Sequence, residues 1–147
     1  MVRVIIAGKF DPILAGHLDH YFKARKLGSY IIVITHPDHI VAKTSKKGFC
    51  ALPIGGRYWL LQRMVGQDGE VILAHDRAGK VVETLKYLRK KYPDDRLIFA
   101  KGGDRTPSNM PEAEIATCRE WDIELVYGVG DLLSSSSDTM MRIKESE

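Results

Sequence analysis

The residues best placed to do chemistry lie at the start of the chain, in Ala7-Gly8-Lys9-Phe10-Asp11-Pro12-Ile13-Leu14-Ala15-Gly16-His17. An apolar run, Val2 to Ala7, precedes this stretch and a helical pattern follows it. A strand that breaks at a glycine and re-enters a helix at Gly-His is built to hold a phosphate. The unpaired N–H groups of the first helical turn and the positive end of the helix dipole both point back at the loop. Gly8 and Gly16 are expected to let the backbone approach an anion closely, and His17 sits in that first turn as a polarising side chain.

Three other segments could join it. Val41-Ala42-Lys43-Thr44-Ser45-Lys46-Lys47-Gly48, which follows His36-Pro37-Asp38-His39, puts three lysines within five residues on a glycine-ended loop. Such a loop can close over a polyphosphate, and without a ligand the same pattern is a solvated basic loop. In Ala100-Lys101-Gly102-Gly103-Asp104 the glycine pair lets the backbone lie flat against a ligand, while Lys101 and Asp104 bring opposite charges to one edge. A tight turn with a structural ion pair is the alternative. The run Ser134–Ser137, ahead of Asp138 and Met140-Met141-Arg142-Ile143, reads as an N-cap leading into a last helix.

The elements that must position these groups alternate along the chain. Val2–Ala7, Tyr30–Thr35, Glu70–Ala74, Arg96–Ala100 and Ile123–Tyr127 are short, rich in Val, Ile and Leu, and bounded by turn residues, as buried parallel strands are. Helical patterns over Gly16–Lys26, Arg57–Val65, Ala78–Lys91 and Pro111–Glu120 lie between them. The pattern predicts an α/β fold, a Rossmann-like parallel five-stranded sheet with helices on both faces. Ligands of such sheets bind beyond the carboxyl ends of the strands, where the strand order reverses.

Composition narrows the partners. A chain of 147 residues, 44% apolar and 28% charged, fits one folded domain spanning 1–147. With 22 basic against 19 acidic residues the net charge is +3, too small to argue for nucleic acid. No apolar stretch approaches the roughly 20 residues of a membrane span, and the N-terminus lacks a signal-peptide pattern. Cys50 and Cys118 are isolated thiols without metal-ligand spacing, so the chain reads as cytoplasmic with both reduced. A homodimer is one option for its assembly, which the sequence does not specify.

Gly8, Phe10, Asp11, Gly16 and His17 resemble the GxFDxxHxGH signature of the nucleotidyltransferase superfamily, with Leu14 where the signature has its first histidine. Lys101-Gly102-Gly103-Asp104 followed by Pro111-Glu112-Ala113-Glu114 is similar to the heptose-1-phosphate adenylyltransferases, over a span from Val4 to Ile143. The loop after the second strand resembles that of glycerol-3-phosphate cytidylyltransferases. The resemblance implies transfer of AMP or CMP from a nucleoside triphosphate to a small phosphorylated acceptor, with Mg2+ on the phosphates.

It also implies roles. Gly8, Lys9, Phe10, Asp11, Gly16 and His17 would cradle the nucleotide phosphates, joined by Lys101, Gly102, Gly103 and Asp104. Ser135, Ser136 and Ser137 would hold the β- and γ-phosphates. Lys46 would bridge the phosphates of nucleotide and acceptor, and Arg57 would meet the acceptor. His17 and Lys46 carry the catalytic assignments, and no protein metal cage is implied. Leu14, and the absence of an arginine ahead of the serine run, motivate a rival: a catalytically weak nucleotide-binding or regulatory protein. A Rossmann dehydrogenase is disfavoured because no GxGxxG follows the first strand.

Overall fold

A computed structural model describes residues 1–130. Five strands, β1 (Val2–Ala7), β2 (Tyr30–Thr35), β3 (Gly69–Leu73), β4 (Arg96–Ala100) and β5 (Ile123–Val126), form one sheet in the order β3-β2-β1-β4-β5. Every neighbouring pair is parallel, with Ile5 opposite Ile32 on one side of β1 and Phe99 on the other. The chain moves outward from β1 through β2 and β3, then crosses back to β4. The order therefore reverses between β1 and β4, and their carboxyl ends splay their loops to opposite sides of one crevice.

The strand sequences dictate two apolar layers, because successive side chains point to opposite faces. Val4, Ile6, Ile31 and Val33 pack on Tyr21 and Ala24 of helix α1 (Ala15–Arg25) and on Leu61 and Val65 of α3 (Ile54–Val65). Ile5, Ile32, Ile34 and Phe99 pack on Leu85 and Leu88 of α4 (Val82–Lys91) and on Cys118 of α5 (Glu112–Glu120). Each such buried side chain contributes roughly 1.5–3 kcal/mol of transfer free energy, which makes the strands the rigid base on which the loops stand.

The helices depart from expectation at their starts. Residues 38–44, read from sequence as part of the lysine loop, form α2 (Asp38–Thr44), with Pro37 at its N-cap and Ile40 and Val41 buried. Helix α3 begins at Ile54 rather than Arg57, since Gly55-Gly56 are carried inside its first turn. Helix α4 begins at Val82 rather than Ala78. The Asp76 carboxylate accepts from the Glu83 and Thr84 amides, at 2.9 and 3.2 Å, and fixes the start there.

Candidate active site at the sheet's switch point

A cleft of about 520 Å³ opens at the carboxyl ends of β1, β2 and β4. Its floor is the loop after β1. The Gly8 amide donates to the Ile34 carbonyl at 3.0 Å, so the loop leaves the sheet still anchored to β2. Phe10 takes a left-handed φ of 52° with its side chain wholly buried, a conformation that costs a non-glycine residue about 1–2 kcal/mol. A Cβ at Gly8 would come within 3.2 Å of the Phe10 ring, so the first motif glycine makes room for that ring. Asp11, fully buried, accepts from the amides of Ala51 (2.7 Å) and Leu52 and pairs with the Lys47 ammonium at 3.1 Å. Burial works to raise its pKa, but those two amides and Lys47 outweigh it and hold the carboxyl below its ordinary range.

His17 is set by the first turn of α1. Its Nδ1 accepts the Leu14 backbone N–H at 2.9 Å, and its ring meets Phe10 edge-on at 5.1 Å. Burial first, and His20 second, push its pKa down to about 4, so the ring is neutral at pH 7. With Nδ1 occupied as an acceptor, the single ring proton must sit on Nε2, which makes the free nitrogen a donor.

Cations gather around this donor. Lys9, Lys46, Lys47, Lys101 and Arg105 all line the cleft, against the carboxylates of Asp11, Asp104 and Glu114. The Lys9 ammonium donates to the Thr44 carbonyl at 2.8 Å, and burial, then Lys47 and Arg105, lower its pKa. Lys101 stands 4.4 Å over the Phe99 ring, its pKa lowered chiefly by burial against the opposing pull of Glu114. Burial raises the pKa of Glu114 in turn. Among the described residues no group of three or more His, Cys, Asp or Glu side chains is arranged to hold a metal ion.

The cytidylyltransferase-like family profile matches residues 5–128 of this sequence. The chain belongs to the cytidylyltransferase-like family. It is 25% identical over 141 residues to the bifunctional protein HldE of Halorhodospira halophila, a match covering 96% of this chain and 27% of that protein. A probable nicotinate-nucleotide adenylyltransferase of Corynebacterium glutamicum is 30% identical over 134 residues, 86% of this chain and 57% of the relative. The chain thus spans about a quarter of the HldE protein and little more than half of the second relative. The crystal structure of a lipopolysaccharide core biosynthesis protein from Thermoplasma volcanium shares the fold, with a TM-score of 0.65 at 22% identity over 88% of this chain and 98% of that one.

In this cytidylyltransferase-like chain the cleft brings together Gly8, Lys9, Phe10, Asp11, His17, Lys46, Lys101 and Asp104 from the sequence reading. Gly16 lies within α1, and Gly102, Gly103 and Arg57 stand back from the cleft wall. Arg57 is entirely buried. Its guanidinium donates to the carbonyls of Leu52 (2.8 Å) and Lys9 (3.0 Å), to Thr35 Oγ1 (3.0 Å) and to the Asp38 carboxylate (2.7 Å). Four of the five N–H donors of its planar fork are taken, so it ties the loop after β1 to β2, α2 and the segment before α3. Ser135, Ser136 and Ser137 lie outside the described residues.

The cleft also holds His36, Ser45, Lys47, Arg105 and Glu114, which the sequence reading did not assign to the site. His36 and Arg105 each adjoin a strand end or motif that was singled out. Lys47 is the neighbour of Lys46, and only the fold decides which of two adjacent lysines turns inward: Lys46 is exposed, while the Lys47 side chain is 6% exposed on Asp11.

Proposed function

We propose that this chain is a nucleotidyltransferase that transfers AMP or CMP from a nucleoside triphosphate to a small phosphorylated acceptor, a sugar phosphate or glycerol phosphate, and releases pyrophosphate. The observation that most supports this is the crowding of Lys9, Lys46, Lys47, Lys101 and Arg105 around a neutral His17 in one cleft. These cations outnumber the carboxylates of Asp11, Asp104 and Glu114 in the same cleft, and a polyphosphate would balance the positive excess.

The acceptor is already a phosphate monoester, with a second pKa of about 6, so it needs no general base to become a nucleophile. Its oxygen attacks the α-phosphorus, and the bond to the bridging oxygen of pyrophosphate breaks. Alignment and charge neutralisation are what remain for the protein. In this reading the His17 Nε2–H donates to an α-phosphate oxygen and gains strength as charge develops there. Lys46 spans the two substrates, and Lys101 and Arg105 face the nucleotide from the β4 side. Ser135 to Ser137 are proposed for the β,γ end. Mg2+ would ride on the phosphates with mostly water as its other ligands, which a site with few carboxylates suits, and Asp104 is the exposed carboxylate beside it.

Leu14 favours the rival of a weak nucleotide binder, because its side chain supplies no hydrogen bond. The orientation of His17, however, comes from the Leu14 backbone amide and survives that replacement. Incubating the protein with Mg2+, ATP or CTP and a panel of sugar and polyol phosphates, with pyrophosphate release and nucleotide-sugar mass as readouts, separates the two. A new nucleotide ester is the expected result. Triphosphate binding with no product from any acceptor would leave the binding protein as the better reading.

A further inference from the structure

His36 ends β2's approach to the cleft, directly after Thr35, and is only 3% exposed. Its Nδ1 is enclosed and has no hydrogen-bond partner, and the same holds for Oγ of Ser45, at the C-cap of α2. Both residues line the cleft. Buried polar atoms in folded proteins nearly always find partners, so two orphans on one wall of one cleft mark groups that something else is meant to satisfy. They come from the β2 side of the cleft, whereas Lys101 and Arg105 come from the segment after β4.

We propose that His36 and Ser45 form a hydroxyl-reading wall of the acceptor subsite, which tells a polyol or sugar phosphate from a phosphate monoester without hydroxyls. The proposal rests on the nucleotidyltransferase reading and names the residues that set its acceptor specificity. An uncharged imidazole offers one N–H and one lone pair, and a serine hydroxyl likewise both donates and accepts. A substrate hydroxyl does the same, so it can satisfy either atom in either sense. A carboxylate or phosphate only accepts, and in this cleft it would turn to Lys9 or Lys46. An alkyl chain would leave both atoms orphaned in the complex as they are in the free protein. Burial, with Lys9, Arg57 and Lys101 adding to it and Asp76 opposing, keeps the His36 ring neutral, with a pKa near 4.

The test compares glycerol 3-phosphate, ribose 5-phosphate and glucose 1-phosphate with ethyl phosphate, a monoester without hydroxyls, by calorimetry. Titrations are run with and without a non-hydrolysable triphosphate analogue, on the wild type and on His36→Phe, His36→Gln and Ser45→Ala. The wild type is expected to bind at least one hydroxylated monoester about tenfold more tightly than ethyl phosphate. His36→Phe and Ser45→Ala should each remove most of that preference and leave ethyl phosphate affinity unchanged, while His36→Gln retains part of it. His36→Phe should also melt no lower than the wild type without ligand, since an apolar ring there leaves no polar atom unpaired. The proposal is overturned if hydroxylated monoesters bind no better than ethyl phosphate, or if the preference survives both His36→Phe and Ser45→Ala. It falls equally if these variants weaken all ligands alike and lower the melting temperature, the signature of a purely structural role. Should His36→Phe not fold, Ser45→Ala, at a half-buried position, decides the matter. Failure of the analogue to bind the wild type would sink the nucleotidyltransferase reading, whereas its binding without any hydroxyl preference sinks only this subsite.

Discussion

Two hollows lie at opposite ends of the sheet, and the larger is the quieter. At the amino ends of β4 and β5 a space of about 960 Å³ is lined by Arg89, Asp95, Arg96, Asp122 and Glu124 among others. Four of its charged side chains, Arg89, Asp95, Arg96 and Glu124, are matched within the protein. Arg89 donates to the carbonyls of Asp122, Tyr92 and Asp95, Arg96 meets Glu124 at 2.6 Å, and Asp95 holds Arg3 and the chain's own amino group. The cleft at the carboxyl ends is about 520 Å³, yet it holds five cations, two unpartnered buried polar atoms and a left-handed Phe10. Volume records how loosely elements meet, whereas unmatched chemistry records what a ligand would complete. Local rules are broken where function asks for it.

That contrast can be broken most forcefully at Asp11. Asp11→Ala removes the partner of a nearly buried Lys47 and the acceptor of two loop amides, so unfolding in urea should show a loss of about 3–5 kcal/mol. A loss under about 1 kcal/mol, the scale of an exposed pair, would mean that the cleft's floor is no better braced than the surface. Next comes His17→Ala, for which turnover should fall roughly 100- to 1000-fold with a much smaller change in triphosphate affinity. An unchanged rate in a folded variant would take His17 out of the chemistry.

The pH dependence of stability distinguishes the two ends as well. His17 and His36 have native pKa values of about 4 against 6.5 for a free ring. Their contribution is complete above pH 6.5 and is lost as pH falls from there through 4, because the unfolded chain takes up the protons first. The loss is up to about 3 kcal/mol per ring. Urea midpoints measured from pH 7 to pH 4 should therefore fall less steeply for His36→Phe than for the wild type; parallel curves would contradict the buried neutral ring. A smaller effect is expected at Lys46. Lys46→Ala should weaken triphosphate binding about tenfold at low salt and less as salt is added, because exposed attractions are screened over about 8 Å at physiological ionic strength. Arg96→Ala, in the matched hollow, should change stability by no more than about 1 kcal/mol and transfer not at all. Lost transfer in that variant would overturn the assignment of the quiet end.

How far the sequence could be read depended on how local the cause was. All five strands were legible, because unbroken runs such as Tyr30–Thr35 declare burial on both faces whatever surrounds them. Helix α2 was not legible: seven residues, among them one lysine and one histidine, carry too little periodicity, and its start signal, Pro37-Asp38, looks equally like a turn. Within the site, the loop after β1 and the Lys101 and Asp104 edge could be found from residue type and spacing. His36 and Lys47 were given no role that way, and Arg57 received an acceptor role from resemblance alone, without the bracing contacts it makes in the fold. Their roles turn on which carbonyl, carboxylate or empty space lies opposite after folding, and for Arg57 those partners are up to 48 residues away in sequence.

The Asp11 carboxylate has a kinetic consequence. By gripping Lys47 together with the amides of Ala51 and Leu52, it staples the segment that carries Lys46 to the sheet before any substrate arrives. That arc is a fixed jaw rather than a flap, and its conformational entropy is surrendered once, during folding, and not again at each encounter. Under the proposed transfer, substrate capture should then run at the speed of diffusion helped by the cleft's positive field, with no slow closing phase, and pyrophosphate should depart as quickly as its own contacts break.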